Sequence, residues 1–380
     1  MYDVKIIGTL SELATIETDW DRLRSYEKRF FPDYLELCTR LTDGDSQFRV
    51  FSVHADGVVI SLACFIFFDG IKEYAVGERR LFGLPIRWCR LFGANVLGHC
   101  SGKLLKVFLE ILDRQVGFDM LSLGEVVLDG ELEVATRVVG WKFRVSRPQR
   151  KDSLRWLARL PESFEEYLGA MSAKSRGNLR REIRKLESDL KPTLVTVTRP
   201  DQFDDFLRDG ERISRLTYQW HIGQRLINDE ATRRAYESRA RLGRLRAHIV
   251  YADGQPIAFS RGRIVGGTFS YETPGYDPAF ARYSPGAVLL AWVIRDLIEN
   301  TGCRVFDFGN GGDDVGYKAR FGNLSMPSRT LYVSRRLGLY PTLLTTLDEG
   351  LKFGKNLGSK LVGHSRMYAS IKKAFRQYGR

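Results

Sequence analysis

Two stretches of this 380-residue chain repeat one another, and the repetition limits the available folds more than any other feature of the sequence. Residues 48–57 read FRVFSVHADG, and residues 245–254 read LRAHIVYADG. In each, an apolar strand pattern runs into Ala-Asp-Gly and out into a second apolar strand. Asp-Gly between two such runs signals a two-residue hairpin, because both positions tolerate the left-handed φ that a tight turn needs. Farther on, a helix pattern opens at Ser101-Gly102 in one half and at Ser284-Pro285-Gly286 in the other. Each helix passes through a glycine, Gly117 or Gly302, into a short strand at residues 121–124 or 306–309. The hairpins lie 197 residues apart and the strands 185, so the order of elements is shared while the loops differ.

The second half shows the order most plainly. Helical periodicity covers residues 201–216 and 229–242, and strand patterns cover 245–251, 256–265 and 268–273. A helix follows from Pro285, then strands at 304–308 and 329–334. Two helices, an antiparallel meander, a crossing helix and a further strand make an α+β layer architecture, a mainly antiparallel mixed sheet flanked by helices.

The charge is local. Of the net +13, residues 334–380 supply +8 and residues 174–191 supply +4. Such fields suit a polyanionic partner at particular surfaces better than a general coating of nucleic acid. Arg176, Arg180 and Arg184 recur at helical spacing opposite Leu179, Ile183, Leu186 and Leu190, the pattern of an amphipathic helix with a basic outer face. In the tail, Leu343, Leu344, Leu347, Leu351 and Phe353 lie among basic residues, followed by Ile371-Lys372-Lys373-Ala374-Phe375-Arg376. These read as basic amphipathic helices, suited either to anionic lipid or to docking an acidic carrier protein. The most apolar stretch, residues 58–68, is too short to cross a bilayer, and Met1-Tyr2-Asp3-Val4 lacks the opening of a signal peptide. Five cysteines without a CxxC suggest reduced thiols, and with them a cytoplasmic protein that can work at the inner face of the membrane. Five scattered histidines and the lack of any GK[ST] point away from zinc and from nucleotide hydrolysis, so no permanently bound cofactor or metal is expected.

Ser284-Pro285-Gly286-Ala287 has the composition of a phosphate-receiving helix start. Serine is a favoured N-cap, proline is pre-set for the first turn, and glycine and alanine leave the backbone N–H groups uncovered. Its neighbours carry a resemblance. Residues 271–323 contain GYDPAFARYSPG, FDFG and YKARFG, and upstream stand Ser163-Phe164-Glu165-Glu166-Tyr167-Leu168 and Lys174-Ser175-Arg176-Gly177-Asn178-Leu179-Arg180-Arg181. Together these resemble the bacterial GNAT-superfamily acyltransferases of cellulose and exopolysaccharide gene clusters, the BioF2-like acetyltransferase type, which are related to the FemAB aminoacyltransferases. The resemblance spans about residues 161–323.

The resemblance implies tandem GNAT-like halves. Residues 1–158 would be a degenerate half that shapes an acceptor groove, residues 159–334 the acyltransferase and residues 335–380 a basic helical tail. It implies transfer of an acyl group, in the first instance acetyl from acetyl-CoA, to an amine on a sugar, amino acid or peptide in envelope or exopolysaccharide assembly. An acyl carrier protein or a charged tRNA could replace CoA as donor, and a non-catalytic regulator of polysaccharide synthesis is the competing class. The GNAT pyrophosphate loop reads Q/R-x-x-G-x-G/A, and here Arg282 stands one place early before Ser284, Gly286 and Ala287.

Lys318 is the candidate for polarising the thioester carbonyl, since the resemblance places a lysine there. It is also the sole lysine between Pro192 and Leu351 in a chain that otherwise prefers arginine, 43 to 16. An ion pair with Asp313 or Asp314 is its structural alternative. Asp307, turned away from Phe306 and Phe308 by strand alternation, could orient or deprotonate the amine, or anchor Lys318. Tyr317 and Tyr271 could protonate the thiolate or line the donor channel. Glu272 could serve as base at its strand end or merely shape the turn before Pro274, and Tyr276, Arg176 and Arg180 complete the expected lining.

Overall fold

The computed structural model describes residues 2–24, 34–42, 47–76, 79–93, 96–147, 152–221, 225–311 and 316–362. In chain order come β1 (Asp3–Ile7), α1 (Leu10–Ala14), α2 (Glu17–Arg24), α3 (Tyr34–Thr42), β2 (Phe48–Ala55), β3 (Val58–Val76), β4 (Arg79–Leu91), β5 (Leu97–Gly98), α4 (Gly102–Gln115), β6 (Met120–Val127), α5 (Glu131–Thr136) and β7 (Phe143–Ser146). Then follow β8 (Ser153–Arg159), α6 (Phe164–Ala170), α7 (Ala173–Leu190), β9 (Thr193–Val197), α8 (Phe203–Arg215), α9 (Tyr218–His221), α10 (Glu230–Arg241), β10 (Leu245–Ala252), β11 (Gln255–Val265), β12 (Thr268–Tyr276), α11 (Pro285–Asn300), β13 (Val305–Gly311) and α12 (Gly316–Phe321). β14 (Leu324–Arg335) and α13 (Leu339–Val362) end the described chain.

The chain divides into two compact units, residues 1–152 with 327–380, and residues 153–326. This differs from boundaries at 158 and 334. Residue 158 falls inside β8, which pairs antiparallel with β13 of the second unit. From Pro327 onward β14 pairs with β6 and β7, so the chain returns to the first unit. Nor does the tail stand apart: Leu344 is buried, the Tyr74 hydroxyl donates to the Leu344 carbonyl at 3.4 Å, and Lys72 meets Asp348 at 2.9 Å. Residues 371–376, expected as a basic helix, lie outside the described residues.

The repeat is real in the backbone. Asp56 and Gly57 have φ of 50° and 79°, and Asp253 and Gly254 have 49° and 73°. Each pair closes a two-residue turn between directly bonded neighbours, Ala55↔Val58 and Ala252↔Gln255. Even the irregularities recur at the same offset, with register shifts at Val53/His54 and at Val250/Tyr251. In both units the third strand of the meander then runs parallel to the strand after the crossing helix. Trp88 faces Met120 in one, and Thr268 faces Val305 in the other.

In the second unit the order β8-β13-β12-β11-β10-β9 forms one sheet. The α11 side of this sheet buries Val250, Ala258, Phe269, Tyr271 and Phe306 with α7, and the opposite side buries Ala247, Ile249 and Phe259 with α8 and Tyr236 of α10. Helix α7 buries Leu179, Ile183 and Leu186, the expected inner face. Packing on the α11 side leaves no room at Gly262, where an added Cβ would lie 2.3 Å from Phe269 Cζ and 2.5 Å from the Ser270 carbonyl oxygen. Gly262→Ala is therefore expected to destabilise the unit by about 3 kcal/mol, the upper end of overpacking, as read by urea unfolding of the variant. An unchanged midpoint would mean that β11 shifts freely there.

Candidate functional site

β12 and β13 pair over only three residues each, Thr268↔Val305, Phe269↔Phe306 and Ser270↔Asp307. Beyond that point β12 stays with β11 as far as Tyr276, and β13 follows β8 after a register shift between Asp307 and Asn310. Two parallel strands that part in this way leave backbone donors and acceptors facing a gap, which an extended ligand can satisfy. Asp307 builds the departure. Its Oδ1 accepts the Gly309 N–H at 2.8 Å, fixing a turn in which Gly309 takes φ +67°, and its Oδ2 pairs with the Arg155 guanidinium of β8. Asp307 is turned away from the Phe306 and Phe308 rings, as alternation predicts, but its carboxylate is engaged in holding strands together. Arg155, 152 positions away, carried no sequence signal for this.

Aromatic rings line the gap on the α11 side. Tyr271 lies 5.2 Å from Phe306 and 6.5 Å from Phe308, and Phe308 lies 6.4 Å from Tyr317. Burial, with Tyr317 beside it, pushes the Tyr271 phenol well above its ordinary range, so Tyr271 stays neutral and is a poor acid. Tyr317 is 41% exposed on α12, which also carries Lys318. Asp313 and Asp314, the suggested ion-pair partners of Lys318, lie outside the described residues.

At the far end of β12 the chain makes a 3₁₀ turn, Pro278–Tyr283, capped by Asp277 through the Ala279 N–H at 2.9 Å, and enters α11. Ser284 does not cap α11 with its side chain. It sits at φ 52°, ψ 44°, and only its carbonyl serves the helix, accepting from Ala287 at 3.0 Å and Val288 at 3.1 Å. In that left-handed conformation the hydroxyl makes no cap bond, because an N-cap needs extended backbone to aim its side chain at the first turn. Gly286 faces Tyr276, whose Cδ1 would be 3.2 Å from an added Cβ. Arg282 stacks 4.7 Å from the Tyr283 ring and donates to its hydroxyl at 2.8 Å. Lys185 of α7 donates to the Arg282 carbonyl at 3.1 Å and lies 5.3 Å over the same ring. Sequence reasoning passed over Lys185, whose place on α7 was visible but whose neighbour was not.

Three expected site residues have other work. Glu272 is not at its strand end. Burial raises its pKa, but Arg239, Arg263 and Arg261 outweigh that and hold the carboxyl below the ordinary range, which makes it a weak base. Arg176 donates to the Gly169 and Met171 carbonyls at 3.1 and 3.4 Å, and Arg180 pairs with Glu165 at 2.7 Å, so both tie α7 to the end and start of α6. Among the described residues no group of three or more metal-ligating side chains comes together, and no helix is long and apolar enough to cross a membrane.

The equivalent place in the first unit is filled from within. Ser101 caps α4 through the Leu104 N–H at 3.3 Å, and Glu131 of α5 accepts the preceding Cys100 N–H at 3.2 Å. Val138 occupies the space beside Gly102, its Cγ2 lying 2.0 Å from where a Cβ would stand. The α4 start is thus capped by its own serine and covered by Val138, with Glu131 bonded to an N–H just ahead of the helix.

Residues 173–319 match the family model of the acetyltransferase (GNAT) domain. No curated protein matches the chain. Among solved structures, FemX aligns with TM-score 0.55 at 11% identity over 79% of this chain and 90% of its own. A tandem GNAT protein of the clavulanic acid biosynthesis pathway aligns with TM-score 0.52 at 11% identity, over 89% and 99%. A structure from Agrobacterium fabrum described as the C-terminal domain of a lysylphosphatidylglycerol synthetase gives 0.50 at 15%, over 90% and 97%. At these identities the likeness is one of fold. The chain is a pair of α+β units of GNAT-like fold, and residues 173–319 of the second unit match the GNAT acetyltransferase domain.

Proposed function

We propose that the second unit transfers an acyl group from a CoA thioester to an amine by direct attack. The observation that carries this reading is the widening between β12 and β13. One end of it holds an α11 start with no side-chain cap beside Lys185 and Arg282; the other holds Tyr271, Phe308 and the α12 residues Tyr317 and Lys318. The five residue steps from Tyr271 to Tyr276 extend roughly 16 Å at about 3.3 Å per step, a span suited to a pantetheine arm between diphosphate and thioester. The diphosphate takes the helix dipole and the two cations. Lys318 faces the oxygen that becomes negative as the amine nitrogen bonds to the carbonyl carbon. As the C–S bond breaks, the sulfur takes a proton from Tyr317, the more exposed of the two phenols. The proton released by the amine nitrogen returns to the phenolate through solvent, so that amide and free thiol are the only products. The resemblance to acyltransferases of exopolysaccharide clusters supports an acceptor in envelope assembly.

Calorimetric titration of the full chain with acetyl-CoA is expected to give one site per chain, because the first unit's helix start is capped by Ser101 and covered by Val138. Two sites would remove that argument. Binding of a charged acyl carrier protein or aminoacyl-tRNA, with none of acetyl-CoA, would overturn CoA as the donor.

A further inference from the structure

On the side of the sheet away from α11, three arginines surround one carboxylate. Arg239 of α10 donates to Glu272 Oε2 at 2.9 Å, while Arg263 Nε lies 3.6 Å and Arg261 Nε 3.8 Å from the same carboxylate. Arg261 Nε also donates to Thr273 Oγ1 at 2.9 Å. All four charged side chains are half-buried, the arginines with 24 to 29% of their side-chain surface exposed. Beneath them the Tyr236 hydroxyl is buried, within reach of the Arg261 and Arg239 charges.

The position matters as much as the charge. Ser270 is the last residue of β12 paired with β13, and Glu272 stands two residues farther on, at the rim of the gap. Helix α11 covers one face of the sheet there, with Tyr271 packed beneath it. The face bearing Glu272 and the arginines is the other one, on which α8 and α10 pack. The part of the three arginines left exposed there is what an acceptor would meet.

We infer that Arg239, Arg261 and Arg263 bind an anionic group, a carboxylate or a phosphate, on the acceptor. Guanidinium forks match both groups in a bidentate way, and a half-buried site strengthens the contact relative to water. Glu272 holds the three side chains together when no acceptor is present and limits how tightly a free anion binds. Neutral amines would accordingly be poor acceptors. This inference rests on the acyl-transfer reading for its assignment to the acceptor, although the anion site itself can be tested without it.

The test is calorimetric titration of the full chain with inorganic phosphate and, separately, with malonate, each with and without saturating CoA. Both probes are expected to bind in the presence of CoA, since CoA fills the α11 start and leaves this face open. Arg263→Gln and Arg261→Gln should each weaken phosphate at least tenfold while leaving CoA affinity within twofold. Glu272→Gln should tighten phosphate, and Arg263→Lys, which keeps the charge and loses the fork, should fall between wild type and Arg263→Gln; these two carry the test if a glutamine variant does not fold. Anion binding that is lost when CoA is added, unmoved by the arginine variants, or not detected for either probe overturns the inference. Anion binding that depends on Arg263 in a chain that binds no CoA upholds the anion site and removes the acyl-transfer reading instead.

Discussion

Asp307→Ala is expected to destabilise the second unit by about 3–5 kcal/mol, the cost of leaving one member of a buried ion pair without the other. For a unit of this size, that lowers the melting temperature by roughly 10 °C. Arg155 has 14% of its side chain exposed, too little for water to replace the carboxylate. The first unit shows why the loss is structural. Ser122 occupies the place of Asp307, its hydroxyl accepts the Gly124 N–H at 3.3 Å, and Gly124 has φ +70° where Gly309 has +67°. A register shift falls beside each of them. A side-chain oxygen two residues before a left-handed glycine therefore turns the strand in both units, including the one whose helix start is blocked. Asp307→Asn keeps an oxygen for the turn and loses the ion pair, so its stability should fall between alanine and wild type, and activity should decline in step with the folded fraction. Urea unfolding beside the transfer rate decides this. An asparagine variant as stable as wild type but inactive would return Asp307 to the role of base.

The elements that were legible in the sequence are those whose causes are local. Asp-Gly fixes both hairpins within two residues, and the 3.6-residue spacing of Leu179, Ile183 and Leu186 fixes the buried face of α7. The order of strands and helices in the second half follows from such signals, with β9, α9 and α12 too short to give one. The glycines, tyrosines and lysine of the candidate site lie in one run of sequence, which is why they could be grouped without the structure. What was hidden depends on residues far apart in the chain. Arg155 reaches Asp307, Lys185 reaches Arg282, and three arginines on two elements turn Glu272 from a candidate base into an ion-pair centre. Ser284 illustrates a different limit. Its residue type favours an N-cap, but the 3₁₀ turn before it delivers the chain in a left-handed conformation that forbids one.

Gly286→Asp and Lys318→Ala should fail in opposite ways. An aspartate at residue 286 puts a carboxylate within the first turn of α11, where the helix dipole favours it. It also adds a Cβ against Tyr276 at 3.2 Å, which a small movement of that 43% exposed ring relieves. The fold should therefore hold, with a melting temperature within a few degrees of wild type, while the affinity for CoA falls at least a hundredfold, on the order of 2.7 kcal/mol. Lys318→Ala leaves the phosphate end untouched, so CoA should bind as before. Turnover should drop by about 10²–10³, the usual effect of removing one group that stabilises a developing oxyanion. Equilibrium binding and single-turnover transfer, measured on both variants, separate the two ends of the gap. If Lys318→Ala binds CoA and transfers at the wild-type rate, the ammonium lies outside the chemistry. If Gly286→Asp binds CoA normally, the donor does not enter along α11, and the basic surfaces of α7 must be read as docking a carrier protein instead.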